Sequence, residues 1–286
     1  MELHDPQHRH LYRHARDYDI AFSFRDFEQE FDFLQTCAQR FGGRAPTRFL
    51  EVAAGPGVHA VVAAQRGLAS IALDLSPPMM DLCAEKAAQA GVTVRTLVAD
   101  MARFDLQAVG EGAVDLAFNP LTSITYLRTL DDLRAHFVAM QRALTPGGVY
   151  VIEHNHPRDF FWREHFSPST WTQTAQVVDE RGPRHITVVA TWVAEPPTIR
   201  ATEQTYETVS QLHVTERAGD ATGTILRQET ITDRGWLRLT TPAELSLCAQ
   251  LAGLEVCALY GGLDPQVPFD DSDESWRTVL VCRRPA

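Results

Sequence analysis

Between residue 48 and about residue 155, short apolar or β-branched runs alternate with longer stretches of helical periodicity. This is the pattern of βαβ units built round a parallel sheet. Residues 48–53, 70–75, 94–99, 114–119 and 149–154 are near-continuously apolar and read as strands covered by helices on both faces. Helices are predicted over 58–66, 77–90 and 131–144. The second has Ser76 as N-cap, Pro77 in its first turn and Gly91 where a C-terminal glycine stops it.

Ahead of this block, Phe24, Phe27, Phe31, Phe33 and Leu34 recur at helical spacing and predict one or two helices laid against the sheet. After Pro157 the character changes. Residues 171–239 alternate Thr, Val, Glu and Arg between turn signals and read as about four antiparallel strands. Residues 241–253 form a helix with a Thr241 to Glu244 capping box, and 254–260 and 277–284 are two further strands. The fold class is therefore α/β, a doubly wound and mostly parallel sheet with an inserted antiparallel β-meander and N-terminal helices. The expected parts are an N-terminal helical cap (1–44), an α/β core (45–156), the β insertion (157–239) and a final helix with two strands that complete the core sheet (240–286). This division favours one composite domain over two independent ones.

Composition narrows the function. In 286 residues, 26 basic side chains face 37 acidic ones, a net charge of −11 that repels both a phosphate backbone and an anionic bilayer. Nucleic acid and membrane are not the expected partners. Lys86 is the only lysine, which reflects codon usage more than a set of anion clamps. The five cysteines are scattered without a CxxC pair, so neither a zinc site nor a disulfide framework is indicated, and a reducing cytoplasm fits. The polar, His-rich N-terminus has no signal-like apolar stretch.

The most informative segment is Phe49 to Ala60, a strand entering a glycine turn and then a helix. Glycines let a backbone approach a ligand closely, and the helix N-terminus offers unpaired N–H groups. Gly55-x-Gly57-x-x-Ala60, with Asp74 placed 19 residues after Gly55, formally satisfies the dinucleotide fingerprint. Glu51 argues for another ligand, because a carboxylate at the strand end gives nothing to a pyrophosphate and suits a cation.

Here the sequence resembles the class I S-adenosylmethionine-dependent methyltransferases, whose first motif, E/D-x-G-x-G-x-G, appears as Glu51-Val52-Ala53-Ala54-Gly55-Pro56-Gly57 with Ala53 for the first glycine. Further motifs follow in the family's order. They are Asp74-Leu75-Ser76, Asp100-Met101, the segment Asp115 to Pro120 that contains Asn119, and Pro146-Gly147-Gly148. The resemblance implies a Rossmann-like sheet of seven strands and S-adenosylmethionine as cofactor, with S-adenosylhomocysteine as product. It implies a loop of Glu51, Ala53, Gly55 and Gly57, ribose hydroxyls on Asp74 beside Leu75, and the adenine amine on Asp100 with Met101 over the ring. Asn119 lines the same site, and Tyr12 and Tyr18 close over it.

Leu121 to Leu127 is similar to an element of small-molecule enzymes, notably the N-methyltransferases of nucleotide-linked amino sugars, and would set Tyr126 near the transferred methyl. The inserted sheet would then help form an acceptor pocket or a dimer contact. His154 and His156 alternate at the end of the fifth strand; His154 is the candidate general base and His156 a candidate acceptor contact. A metal pair with Glu153 is disfavoured, because the strand turns Glu153 to the other face. Tyr206, Trp236 and Arg238 are candidate acceptor residues, and Arg158, Arg163 or Arg238 could meet an acceptor's diphosphate. The expected activity is methyl transfer to a small-molecule N or O nucleophile. The alternative is a SAM-fold protein that binds without transfer. Exposed antiparallel edges favour a homodimer.

Overall fold

The computed structural model describes residues 10–161 and 166–286, which fall into two compact units. The larger, residues 26–162 and 238–286, holds the motifs from Glu51 to Gly148. Its strands are β1 (Arg48–Val52), β2 (Ala69–Asp74), β3 (Val94–Val98), β4 (Val114–Asn119) and β5 (Leu144–Asn155), with β11 (Glu255–Tyr260) and β12 (Arg277–Arg283) from the end of the chain. They form one sheet of seven in the order β11-β12-β5-β4-β1-β2-β3. The first five strands run parallel; β12 pairs antiparallel with both β5 and β11. The chain order reverses direction at β1 and β4, and the crevice beyond the carboxyl ends of such strands is where α/β sheets bind ligands.

Helices α3 (Phe27–Gly42), α4 (Val58–Gln65), α5 (Pro77–Gln89), α6 (Leu130–Ala143) and α8 (Pro242–Leu251) belong to this unit. Two buried clusters sandwich the sheet. One joins Leu50, Ile71, Phe137, Met140, Tyr150 and Leu245; the other joins Phe31, Leu34, Phe49, Phe118, Val151 and Val281. Local chemistry sets the helix ends. Asp26 caps α3 by accepting from Gln29 N at 3.0 Å, and α8 begins with the reciprocal Thr241–Glu244 capping box. Ser76 does stand at the N-cap of α5, but its side chain makes no capping bond; its backbone N–H is taken by Asp74 instead. β5 begins at Leu144, before the Pro146-Gly147-Gly148 turn, because a register shift against β4 absorbs that turn within the strand.

The smaller unit comprises residues 10–25 and 163–237, of which residues 163–165 lie outside the described residues. α2 (Ala15–Ala21), with α1 (His10–Arg13) against it, packs on β6 (Ser169–Asp179), β7 (Gly182–Trp192) and β9 (Thr205–Ala218), and β8 (Thr198–Arg200) and β10 (Ile225–Arg238) complete the sheet. The sheet runs β10-β9-β7-β6 with the three-residue β8 beside β9, so it has five strands where four were expected. Leu11, Ile20 and Ala21 bury against Ile186, Val188, Ala190, Leu212 and Val214. The unit boundary thus falls at residue 25. Phe31 and Leu34 belong with the parallel sheet, residues 10–21 with the antiparallel one, and Phe24 is 57% exposed. The short helix α7 (Arg158–Phe161) follows β5.

Candidate functional site

The loop from β1 to α4 takes the left-handed conformation at every second residue: φ is +53° at Ala53, +53° at Gly55 and +67° at Gly57. These are the three glycine positions of the motif. Ala54 N–H donates to Leu73 O and Gly57 N–H to Ala54 O, both at 2.9 Å, so the turn is tied to β2 and to itself. At Gly57 a methyl group would sit 2.2 Å from Cys83 Sγ, which makes the position one of space as well as torsion. At Ala53 the methyl is present, and an L-residue in this region is strained by about 1–2 kcal/mol. Ala53→Gly is therefore expected to raise stability by about 0.5–1 kcal/mol, the unfolded chain's added freedom cancelling part of the gain. A urea midpoint that fell instead would show that the methyl makes a compensating contact.

The carboxylates meet this loop in different ways. Glu51 is 1% exposed; its Oε1 lies 2.8 Å from His59 Nδ1 and its Oε2 accepts from Ala60 N at 2.8 Å. The expectation was a carboxylate offered to a cation; in the fold both Glu51 oxygens are engaged by α4, one by the His59 ring and one by the Ala60 N–H. Asp74 accepts from Gly55 N and Ser76 N, each at 2.8 Å, one on each oxygen. Burial pushes its pKa up, against the pull of the Ser76, Gly55 and Leu75 N–H groups. Asp100 accepts from Ala102 N at 2.8 Å, Met101 beside it is buried, and Leu75 is 37% exposed at the end of β2. Asn119 is wholly buried, its Nδ2 donating to Val52 O at 3.1 Å, and so positions the start of the loop.

The chain's sequence gave no signal for one further support. His136 on α6 is fully buried, with Nδ1 2.8 Å from Met101 O and Nε2 2.8 Å from the Tyr150 hydroxyl. A carbonyl only accepts, so Nδ1 carries the proton and Nε2 accepts from Tyr150. Burial pushes this imidazole down to about 4, in keeping with a neutral ring. It ties the Asp100–Met101 segment to β5. Asp115, at the opposite end of β4, is likewise structural: it accepts from Thr47 N at 2.9 Å and from Arg44 at 2.6 Å.

After β4 the chain turns through two successive left-handed residues, Leu121 (φ +53°) and Thr122 (φ +62°). Glu153 on β5 holds them, with Oε2 accepting from Leu121 N at 2.9 Å and its carbonyl from Thr122 N at 3.1 Å. Arg277 lies 3.3 Å from the other Glu153 oxygen. This clamp places the short 3₁₀ turn Ser123–Tyr126, whose Tyr126 is partly buried against the core.

The histidine expectations are overturned. His154 is 1% exposed within β5, and burial with Arg277 nearby pushes it down to about 3, too weak a base to take a proton near neutrality. His156 has both nitrogens committed to structure: Nε2 donates to Asp270 O at 3.0 Å, and Nδ1 accepts from Arg158 N at 3.3 Å. Arg158 braces the same acidic loop through Ser272 O and Ser275 O. Arg238 is 4% exposed and bonded to Arg128 O at 3.2 Å and Glu244 at 3.1 Å, so its fork is already engaged. Arg163 lies outside the described residues.

Tyr12, Tyr18, Tyr206 and Trp236 belong to the smaller unit. There Tyr12 packs edge-on to Tyr18 with ring centroids 5.6 Å apart, and Tyr18 lies 4.6 Å from Phe22. Tyr206 is buried beside Phe166, and Arg200 covers the face of Trp236 at 3.9 Å.

The buried histidines fix a pH profile. His59, between two carboxylates, is raised from 6.5 to about 9 despite the opposing effect of burial. Its stabilisation is complete below about pH 6.5 and is lost as pH rises through about 9. His136 and His154, lowered to about 4 and about 3, act in the opposite sense: their stabilisation is present above about pH 6.5 and is lost as pH falls toward those values. At about 1.4 kcal/mol per pH unit, the effect when fully developed is on the order of 3 kcal/mol for His59 and His136 and about 5 kcal/mol for His154. The melting temperature is expected to peak near pH 6.5–7.5 and to fall on both sides; a curve still rising at pH 9 would contradict the His59 assignment.

Comparison with known proteins agrees with this geometry. Residues 49–148 match the model of a family described as a methyltransferase domain. Over 140 residues the chain is 32% identical to a demethylmenaquinone methyltransferase of Thermus thermophilus, a match that covers 48% of this chain and 60% of that protein, so the chain spans only about three fifths of that relative. A solved S-adenosylmethionine-dependent methyltransferase from Clostridium acetobutylicum superposes with a TM-score of 0.69 at 15% identity, covering 95% of this chain and 98% of that one. A sugar N-methyltransferase from a Streptoalloteichus species gives 0.65 at 21% identity, covering 94% and 93%. The fold is that of the class I S-adenosylmethionine-dependent methyltransferases.

Proposed function

We propose that this chain transfers a methyl group from S-adenosylmethionine to a nitrogen or oxygen of a small-molecule acceptor. The observation that carries the reading is the strand-end pair Asp74 and Asp100. Asp74 ends β2 and Asp100 follows β3, each accepting backbone N–H groups of the loops there, Gly55 and Ser76 on Asp74 and Ala102 on Asp100, in a sheet whose strand order reverses at the neighbouring β1 and β4. When bound, S-adenosylmethionine supplies the activated methyl as a sulfonium. Asp74 takes the ribose hydroxyls and Asp100 the adenine amine, Leu75 and Met101 cover the ring, and the 53–57 backbone approaches the amino-acid end. Tyr126, carried on the clamped turn after β4, lies beside the transferred methyl. The protein's contribution is mainly alignment, which can account for most of the barrier reduction.

An amine acceptor is favoured over a hydroxyl. An amine attacks through its own lone pair, whereas a hydroxyl needs a base, and the buried His154 does not serve as one. The similarity in fold to a sugar N-methyltransferase supports the same choice. Incubation with methyl-labelled S-adenosylmethionine and a panel of amino sugars, small amines and small alcohols tests the reading. Label is expected in amine products with stoichiometric S-adenosylhomocysteine, and label only in alcohols would overturn the choice of nitrogen.

A further inference from the structure

We propose that His59 is the positioning residue of the cofactor loop, an imidazolium held between Glu30 and Glu51 whose proton keeps Glu51 seated beneath residues 53–57 and so sets cofactor affinity. The inference rests on the methyltransferase reading for the identity of the ligand and on local geometry for everything else.

His59 is 2% exposed and occupies the second position of α4. Its Nδ1 lies 2.8 Å from Glu51 Oε1 and its Nε2 lies 2.7 Å from Glu30 Oε2. Carboxylates only accept, so a ring that satisfies one on each nitrogen donates from both and carries a positive charge. The ring cannot easily turn away, because Phe27 meets it at 5.1 Å and 77° and Phe118 at 5.0 Å and 82°. The other Glu51 oxygen accepts from Ala60 N at 2.8 Å, in the first turn of α4. One proton therefore links α3, through Glu30, to the end of β1 and the start of α4, the two elements between which the loop is strung.

The groups around this relay decide its pH sense. Glu30 faces the ring from α3 and Glu51 from β1; Asp74 of β2 lies within electrostatic reach of Glu51, and the Cys83 thiol of α5, pushed up to about 12 by burial and by Glu51, stays neutral over the range tested. Removing the proton leaves the ring able to donate to only one of the two carboxylates. Glu30 is partly exposed and Glu51 is buried, so a donor lost from Glu51 is not replaced by water and costs far more than one lost at the surface. Glu51 then loosens its hold on the loop, and the uncompensated charge also acts on Asp74.

The test is the affinity for S-adenosylhomocysteine between pH 6 and pH 10, measured by calorimetry on the whole chain and on Glu30→Gln, alongside an NMR titration of the imidazoles in both. Glu30→Gln keeps an acceptor for Nε2 and removes a charge at a partly exposed position, so the fold is retained. In the unaltered chain, affinity is expected to hold to about pH 8 and then to weaken about tenfold, with one imidazole keeping its proton over the same range. In Glu30→Gln both changes move down by about one pH unit. The ligand's own amine titrates identically in the two proteins, so the difference reports the relay. Superimposable affinity profiles, or no imidazole that stays protonated above pH 7.5, would overturn the proposal. Failure of the unaltered chain to bind S-adenosylhomocysteine at any pH would instead defeat the methyltransferase reading and with it the link to cofactor, while the NMR titration would still decide the protonation of His59.

Discussion

Gly57→Ala is expected to abolish cofactor binding and to cost about 3–4 kcal/mol of stability. Two penalties add. The residue has φ +67°, where an L-side chain is strained by about 1–2 kcal/mol, and the new methyl would lie 2.2 Å from Cys83 Sγ and 3.0 Å from its Cβ. Cys83 is fully buried on α5, so α4 and α5 must part to make room, and overpacking of this kind costs about 1–3 kcal/mol. The two penalties are separable. Cys83→Ala alone is mildly destabilising, but combined with Gly57→Ala it should restore about 1–2 kcal/mol, the steric share, while the torsional share persists. Chemical denaturation of the four proteins closes the cycle. Strict additivity would show that the clash is relieved elsewhere.

Asp74→Ala carries the second large effect, a loss of at least a hundredfold in affinity for S-adenosylmethionine together with about 2–4 kcal/mol of stability. The carboxylate does two jobs at one place. It accepts the N–H groups of Gly55 and Ser76, and leaving those donors without a partner costs about 1–3 kcal/mol each when they are shielded from water. Its remaining lone pairs are the proposed seats of the ribose hydroxyls. Asp74→Asn separates the roles: the amide oxygen still accepts one backbone N–H, so more of the stability returns than of the affinity. Equal recovery of both would mean that Asp74 only shapes the loop.

How much of this was legible in the sequence depended on the range of the interaction. The five parallel strands and their helices were readable because apolar runs and glycine turns are local, and the 53-55-57 spacing marks the left-handed residues even though one of them is Ala53. Glu51 was located and its surroundings were not. Its partner His59 is eight residues on, in the next helix, and Glu30, which completes the relay, is 29 residues before His59 on a helix whose packing no local pattern specifies. His136 was invisible for the same reason, since its bonds reach 35 residues back to Met101 and 14 forward to Tyr150. For His154 and His156, alternation along the strand indicated a shared face. Depth came from β12 pairing on the far side of β5, which sets Thr278 opposite His154 and buries it. Arg238 likewise meets Arg128 O across 110 residues. A residue type at a strand end announces chemistry; whether its polar atoms are still available is decided by contacts that are distant in sequence.

The division of the N-terminal segment shows the same limit. Aromatic periodicity foresaw helices over residues 11–41, and it could not tell that Leu11 and Ile20 bury against the antiparallel sheet while Phe31 and Leu34 bury against the parallel one.

The central claim is that the loop after β1, Asp74 and Asp100 form a site for S-adenosylmethionine. Calorimetric titration of the whole chain at pH 7 with S-adenosylmethionine, S-adenosylhomocysteine and NADH tests it most directly. The account predicts saturable one-to-one binding of both sulfur nucleotides, lost in Asp74→Ala, and no heat from NADH; binding of NADH with neither sulfur nucleotide bound would contradict it.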